Sequence, residues 1–464
     1  MPRNSKTPNV HDTDCVDRIS NLPIEIIRQI HSRLPWKDAA RTSVLSQIWR
    51  SFWDSRPKIY LDETDFGTKF FKYSDRDKEK RDLFLTYLQK SLDRREKSEY
   101  DSAVDSLLLT MIVENSSAEF LVKKWIDFAL KNKVKTLLLS LKKTYHNGFD
   151  LRDVEIKTAT LVTLDIEYCE ISNCSFMLPN LRSLFLHHVC IADDDFGDLI
   201  GGCPQIEKLS IVNRRKLGTI VVSNPTLKLF VINVTGFGGK ILIESKNLES
   251  LTLYSFSKGT CKVEITSTAT VRNLTLLDFD DQDRRLMNYI NIFPLLEKLV
   301  IYQYVCSNLK VSHQHLTSFV LEAYMEIEEV ILDAPKLKSF EYRGGLTLFP
   351  GIETSHELEF VHLHLKPRRL NNRWYIWLRN MLESFAHSKH VRLTCLDEQA
   401  IRFPDELTEI LAPTINDLKN LELRVRSSTA ASQQILDGFV RILPGLKTLS
   451  FTSSSISELI EFPQ

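Results

Sequence analysis

Two histidines, His362 and His364, stand two residues apart in the stretch LEFVHLHL. On an extended strand alternate side chains share a face, so both imidazoles project the same way. Two such nitrogens can ligate a metal. The neighbouring sequence shows no third ligand, so no metal is assigned. A second group of soft donors, Cys169, Cys174, His187, His188 and Cys190, crowds one short span without any C-x-x-C pair. GFGG at 236 to 239 lacks the strand-to-helix context of a phosphate loop. No nucleophile and base can be paired. The residues therefore point away from an enzyme and from any cofactor, and toward recognition.

The elements that must hold these side chains are repeats. The pattern apolar-x-x-apolar-x-apolar occurs as VDSLLL at 104, VKTLLL at 134, LVTLDI at 161 and LRSLFL at 181, and it continues to LKNLEL at 418 and LKTLSF at 446. From 161 to 358 successive copies are 20, 25, 21, 21, 23, 25, 20, 21 and 21 residues apart. A gap near 388 is expected to hide one degenerate copy. Each core reads as a short strand whose leucines point inward. One repeat cannot bury its apolar face alone, whereas stacked repeats build a continuous core under a parallel sheet. The pattern thus predicts a leucine-rich-repeat solenoid. Pro, Asn or Ser precede the next strand in CPQIEK, SNPTLK, ESKNLE and DAPKLK, as turns require. Cys169 falls where such repeats place an Asn or Cys, which makes it structural.

Outward positions follow from the alternation, and they line the sheet face by which solenoids bind. Thr136, Leu138 and Ser140 come first. Ser183, Phe185, His187, then Ser250, Thr252, Tyr254, then Lys298, Val300, Tyr302 follow. Farther along are Ser318, Val320, Glu322, then Ser339, Glu341, Arg343, then Phe360, His362, His364. Aromatic residues beside Arg and His resemble the composition of interface hot spots. The expected target-binding set is Phe185, His187, Tyr254, Tyr302, Glu322, Glu341, Arg343, His362 and His364.

Composition narrows the classes further. Over 464 residues, Lys plus Arg and Asp plus Glu each total 60, so net charge is zero, against bulk-charge binding of nucleic acid or an anionic membrane. Hydrophobic residues make up 43%, enough for a large core. No apolar leader and no run near eighteen apolar residues is present, so secretion and membrane spanning are not expected. The sequons at Asn115, Asn173, Asn233 and Asn273 are then chance matches, and the eight cysteines are free thiols in a reducing, cytoplasmic or nuclear setting.

The N-terminal segment has a different rhythm. Leu22, Ile26 and Ile30 recur every four residues, with Ile27 beside them, which makes one apolar helix face. Pro23 and Pro35 punctuate that helix, a second runs from Lys37 to about Leu45, and a third carries Ile48, Trp49, Phe52 and Trp53. Three short helices cannot enclose so much apolar surface. They either cap the solenoid or dock on a protein.

DRISNLPIEIIRQIHSRLPWKDAARTSVLSQIWRSFW resembles an F-box of the kind found in plant F-box/LRR proteins. NPTLKLFVI and APKLKSFEY match the P-x-L-x-x-L-x-L phrase of that family's repeats. The resemblance implies a non-enzymatic substrate receptor. Its F-box would dock a Skp-type adaptor, and through it a cullin scaffold, in an SCF-type ubiquitin ligase. The positions carried over are Leu22, Pro23, Ile26, Ile27, Ile30, Leu34, Pro35, Val44, Leu45 and Trp49, with Trp49 packing between the helices and Leu22, Pro23 and Val44 facing the adaptor. His31 and Arg33 stand where the family has apolar residues. The implied division is F-box 15–60, a charged linker and packing helix over 61–103, and a solenoid over 104–464. KYSDRDKEKRD reads as a solvated linker, and LFLTYLQKSL as a helix packing on the first repeat. RWYIWLRNMLESF at 373 to 385 also suggests a helix. A small-molecule co-receptor or a scaffold outside ubiquitin transfer remain as alternative readings.

Overall fold

The computed structural model describes residues 19, 22–69, 77–97, 104–143, 148–152, 154–212, 218–233, 239–254, 262–265, 270–278, 286–367, 369–404, 406–407, 411, 415–425, 432–453 and 457–462. The chain divides into two compact units, 1–149 and 150–464.

The first unit begins with α1 (Ile24–Arg33), α2 (Trp36–Thr42) and α3 (Gln47–Asp54). Prolines 23 and 35 precede α1 and α2, where a missing N–H costs nothing. Ser46 caps α3 by accepting the Trp49 N–H. Ile27, His31, Ala39 and Trp49 are the buried residues of this small core. His31 is 3% exposed, and its ring lies within 6.3 to 6.5 Å of the rings of Trp49, Phe52 and Trp53. Burial, with the charge of Arg56 adding, lowers its pKa to about 4 against an opposing backbone hydrogen bond at Ala39, so His31 is neutral. Arg33 is exposed.

A short strand, β1 (Lys58–Asp62), follows and pairs parallel with β2 (Ser106–Val113), which pairs parallel with β3 (Thr136–Lys143). The sequence reading missed β1. The charged run read as a linker also needs correcting. Part of it, 72–76, falls outside the described residues. Lys78–Asp82, however, opens helix α4 (Lys78–Glu96), and Arg81 is buried in it. Arg81 reaches Glu63 at 3.2 Å and Glu114 at 2.7 Å. Glu63 in turn accepts the Ile112 N–H at 2.7 Å. Burial raises the Glu63 pKa, and these donors oppose that rise. Helix α5 (Ser116–Lys131), capped by Asn115, links β2 to β3 and buries Trp125 and Ile126.

The second unit is the parallel-strand solenoid. Its wide sheet runs, in spatial order, β4 (Thr163–Glu167), β5 (Ser183–His187), β6 (Lys208–Val212), β7 (Leu229–Asn233), β8 (Ser250–Tyr254), β9 (Asn273–Leu277), β10 (Lys298–Tyr304), β11 (Ser318–Ala323), β12 (Ser339–Gly344), β13 (Phe360–Leu365), β14 (His390–Cys395), β15 (Asn420–Val425) and β16 (Thr448–Thr452). An antiparallel strand, β17 (Ser457–Glu461), closes it. The degenerate copy expected near 388 is β14. On the return side the connections are often short strands, such as Thr219–Val222, Lys240–Ile243 and Lys262–Ile265, which pair parallel with one another. Helices α6 (Asp193–Gly201), α7 (Leu286–Ile290), α8 (Asn372–Ser384) and α9 (Ser432–Ile442) fill the longer connections.

The inward set is as the alternation requires: Leu184, Leu186, Leu251, Leu253, Leu274 and Leu276 are all buried. Val300 keeps the outward register, level with Thr275 and Val320 on the paired strands, but it is only 6% exposed there. A polar series recurs in the turns. Asn224 donates to the Cys203 carbonyl at 3.2 Å, Ser245 Oγ lies 3.4 Å from the Asn224 N–H, and Ser355 donates to the Ala334 carbonyl at 2.8 Å. These side chains are buried and tie one turn to the next, adding a second donor to carbonyls that already accept a backbone N–H, Ile206 at 3.3 Å for Cys203 and Leu337 at 3.0 Å for Ala334.

Candidate interaction surfaces

In the first unit the three helices leave an apolar edge uncovered. Val44 is 85% exposed, and Ile26, Ile30, Leu45 and Ile48 are exposed with it. Pro23 and Pro35 are exposed, while Leu22 and Leu34 are half-buried. Ile27 and Trp49 point inward and hold the helices together. The predicted adaptor set thus separates into a packing pair and a surface group. Single exposed hydrophobics are ordinary, but five in so short a segment, two on α1, two in the turn after α2 and one on α3, are apolar surface of the kind that marks interaction.

In the second unit the outward ladder is half-buried on the sheet face. Its richest part spans β11 to β15. Arg343 donates to Glu341 Oε1 through Nε at 2.8 Å, with Nη2 at 2.7 Å, and lies 3.9 Å from Glu322. The hydrogen bond to Glu341 raises the Arg343 pKa further, against some burial, with the charges of Glu341, Glu322 and Tyr302 adding. His364 Nε2 is 3.5 Å from Glu341 Oε1. The rings of His362 and His364 are 3.7 Å apart, and His362 Nε2 lies 3.0 Å from the Thr394 hydroxyl. Burial, then the charge His364 would carry, lowers the His362 pKa to about 4, and burial lowers that of His364 as well. Both rings are neutral at pH 7.

Glu341 supplies the third donor that the sequence around the two histidines did not show. The donor atoms of Glu341, His362 and His364 lie within 4.8 Å of one another. Arg343 already occupies that carboxylate with two N–H groups, so the arrangement works as an ion-pair ladder. Phe185, His187 and Tyr254 do not join this cluster. β5 lies six strands before β11, roughly 29 Å away at the usual strand spacing. His187 instead faces Ser210 at 3.4 Å. Among the cysteine and histidine group, Cys169 is buried, and His188 stacks on Tyr168 with centroids 4.9 Å apart.

Sequence reasoning missed the continuation of the ladder. Arg392 and Arg424 donate to the two oxygens of Glu422, each at 2.6 Å. Burial pushes the Glu422 pKa up, but these two donors outweigh it and hold the carboxyl below its usual range. Arg392 also stands 5.0 Å above the Phe360 ring, which stacks on His390 at 5.6 Å. The outward alternation of LELRV would have found Glu422 and Arg424. HVRLTC was too degenerate to give Arg392.

Comparison with known proteins agrees with both modules. The F-box domain family matches residues 19–60, and the family described as FBD-associated F-box protein At5g56370, LRR repeats, matches 122–272. Both modules are those found together in plant F-box/LRR-repeat proteins, and the chain is of that make-up. Three similar proteins, all of Arabidopsis thaliana, are named F-box/FBD/LRR-repeat proteins. At1g13570 is 26% identical over 64% of this chain, At5g22700 is 29% identical over 42%, and At1g78750 is 31% identical over 42%. The matches span 64%, 41% and 42% of those relatives' own lengths, under two thirds in each case. A solved leucine-rich repeat protein from Bacteroides ovatus aligns with 75% of this chain and 87% of its own at 10% identity. Its TM-score of 0.14 is too low to bear on the fold. Among the described residues no helix is long and apolar enough to cross a membrane.

Proposed function

We propose that this chain is the substrate-recognition subunit of an SCF-type ubiquitin ligase. The F-box docks a Skp-type adaptor, which hangs on a cullin scaffold, and the repeats hold a target protein. The observation that carries this reading is the uncovered apolar surface of the F-box segment, with Val44 85% exposed and Ile30 and Leu45 exposed as well, while Trp49 and Ile27 are packed inside. Catalysis is then proximity. Holding the target near the charged ubiquitin carrier raises the effective concentration of its lysines, and the bond-making groups belong to other subunits. Such a subunit would work in the cytoplasm or nucleus, without a cofactor, nucleic acid or membrane as its ligand. His31 and Arg33 fit a working box, since His31 is neutral among aromatic rings and Arg33 lies in solvent.

The test is capture of a recombinant Skp-type adaptor by the full chain. Leu22→Ala with Pro23→Ala, and separately Val44→Glu, should abolish capture while far-UV circular dichroism stays unchanged. Undiminished capture by both variants would reject the assignment.

A further inference from the structure

The second unit carries a cleft away from the ion-pair ladder. It holds about 690 Å³ and lies where the loops after β11, β12 and β13 meet the start of α8. Three cations line it, Lys366, Arg369 and Arg373, against a single acid among the lining residues, Glu326. None of the three cations has an ion-pair partner among the described residues, whereas neighbouring Arg379 is paired with Glu383 at 2.9 Å. Beside them Ile376 is 38% exposed and Trp377 39% exposed.

This surface is held in place from behind. The opposite side of α8 buries Trp374, Tyr375, Leu378, Met381 and Leu382. Trp374 Nε1 donates to the Ala400 carbonyl at 2.7 Å, and the Tyr375 hydroxyl to the Gln399 carbonyl at 2.9 Å. Asn371 caps the helix by accepting the Trp374 N–H at 3.2 Å, so that backbone group is already used and recognition falls to side chains. The exposed Trp377 indole and Ile376, beside three cations with no ion-pair partner among the described residues, offer one apolar contact and several contacts for anions at close range. Anchors of this kind, Trp and Arg around a concave site, concentrate binding energy.

We propose that this cleft binds an acidic peptide segment of the target, its carboxylates meeting Lys366, Arg369 and Arg373 and one apolar side chain packing on Trp377 and Ile376. The inference rests on the repeats being the target-binding module. It adds a second contact, distinct from the sheet face, and gives it a chemistry.

The experiment uses the purified full chain and short fluorescein-labelled peptides read by anisotropy. One peptide alternates Glu and Asp with Leu and Phe, one has Lys in place of the acids, and one has Ser in place of the apolar residues. The acidic apolar peptide should bind and weaken as salt rises. The lysine peptide should not bind. Trp377→Ala and the serine peptide should each weaken binding roughly tenfold, as loss of one apolar anchor implies. Lys366→Glu with Arg369→Glu and Arg373→Glu should remove binding, and the corresponding Gln variants serve if the reversal fails to fold. Equal binding by wild type and charge variants, or no binding of the acidic peptide to wild type, overturns the proposal. Tighter binding of a labelled single-stranded RNA through the same three cations would also overturn it in favour of a nucleic acid. No adaptor is present in this assay. A cleft that binds while the F-box fails to capture the adaptor would leave the inference standing and the ligase reading rejected, and the converse result would separate them the other way.

Discussion

Arg343 and Glu341, two residues apart on one strand, clasp each other across the outward face, with Nε and Nη2 at 2.8 and 2.7 Å from the same carboxylate oxygen. The pair is half-exposed, so its net contribution to stability is small, on the order of 0–1 kcal/mol. Its use is more readily recognition: a preformed, oriented pair needs little reordering to meet a ligand. Tyr302→Ala with Arg343→Ala should therefore melt within a few degrees of wild type while losing the target, each anchor being worth about 2 kcal/mol or more in an interface. Adaptor capture should be unaffected, since the F-box lies in the other unit. Quantitative affinity capture with the proteasome blocked checks this. Unchanged target recovery would move the binding surface off this face.

Strand register makes a second prediction. Leu253 is 2% exposed and its neighbour Tyr254 is half-buried on the opposite face. Leu253→Asp places an unpaired carboxylate in the core, at a cost of several kcal/mol, roughly 3 or more. Tyr254→Ala should cost about 1 kcal/mol or less. Thermal melts of the two variants should rank in that order, and the reverse ranking would mean a register slip of one residue.

The turn series gives a third. Asn224 donates to the Cys203 carbonyl at 3.2 Å and its Oδ1 accepts the Thr226 N–H at 2.9 Å. Asn224→Ala leaves the partly buried Thr226 N–H without its acceptor and strips the Cys203 carbonyl of one of two donors, the Ile206 N–H remaining at 3.3 Å, so it should cost about 1–2 kcal/mol. Asn224→Ser should recover part of this, since Ser245 and Ser355 serve at the equivalent places of other repeats. Denaturant midpoints for the two variants test the order. A Ser variant no better than Ala would reject the series as a common device.

The sequence reading succeeds where one physical period dominates. Leucines at alternate positions mark the inner face of β5, β8 and β9 without knowledge of any neighbour. Apolar residues four apart mark α1 just as directly. It fails where the deciding partner is distant in sequence. Arg81 reads as part of a solvated charge run until Glu63 and Glu114 are brought to it, from 18 residues before and 33 after. Val300 reads as exposed until Thr275 and Val320 flank it on the same outward face. The donor trio of Glu341, His362 and His364 exists because repeat length sets β12 beside β13, which spacing within one strand cannot reveal. Short strands such as Thr219–Val222 carry too few residues for either period to register.

His31 makes the fourth prediction, and its sign follows from burial. The ring sits among Trp49, Phe52 and Trp53 with a pKa lowered from 6.5 to about 4. The folded state disfavours the charged form, so between these values the unfolded chain binds more protons than the folded one. Stability from this group is then fully present above pH 6.5 and is lost as pH falls toward 4. At about 1.4 kcal/mol per unit the loss approaches roughly 3 kcal/mol. The F-box helices should therefore loosen on acidification, and adaptor capture should fall between pH 6.5 and 5. His31→Leu, which restores an apolar side chain of similar bulk, should make capture independent of pH over that range and should not weaken it at pH 7.5. A proton NMR titration of the histidine ring signals tests the cause directly: the rings of His31 and His362 should both remain neutral well below pH 6 in wild type, and the signal lost in His31→Leu should be one of these. A His31 midpoint near 6.5 would show that the ring is not held among the tryptophans.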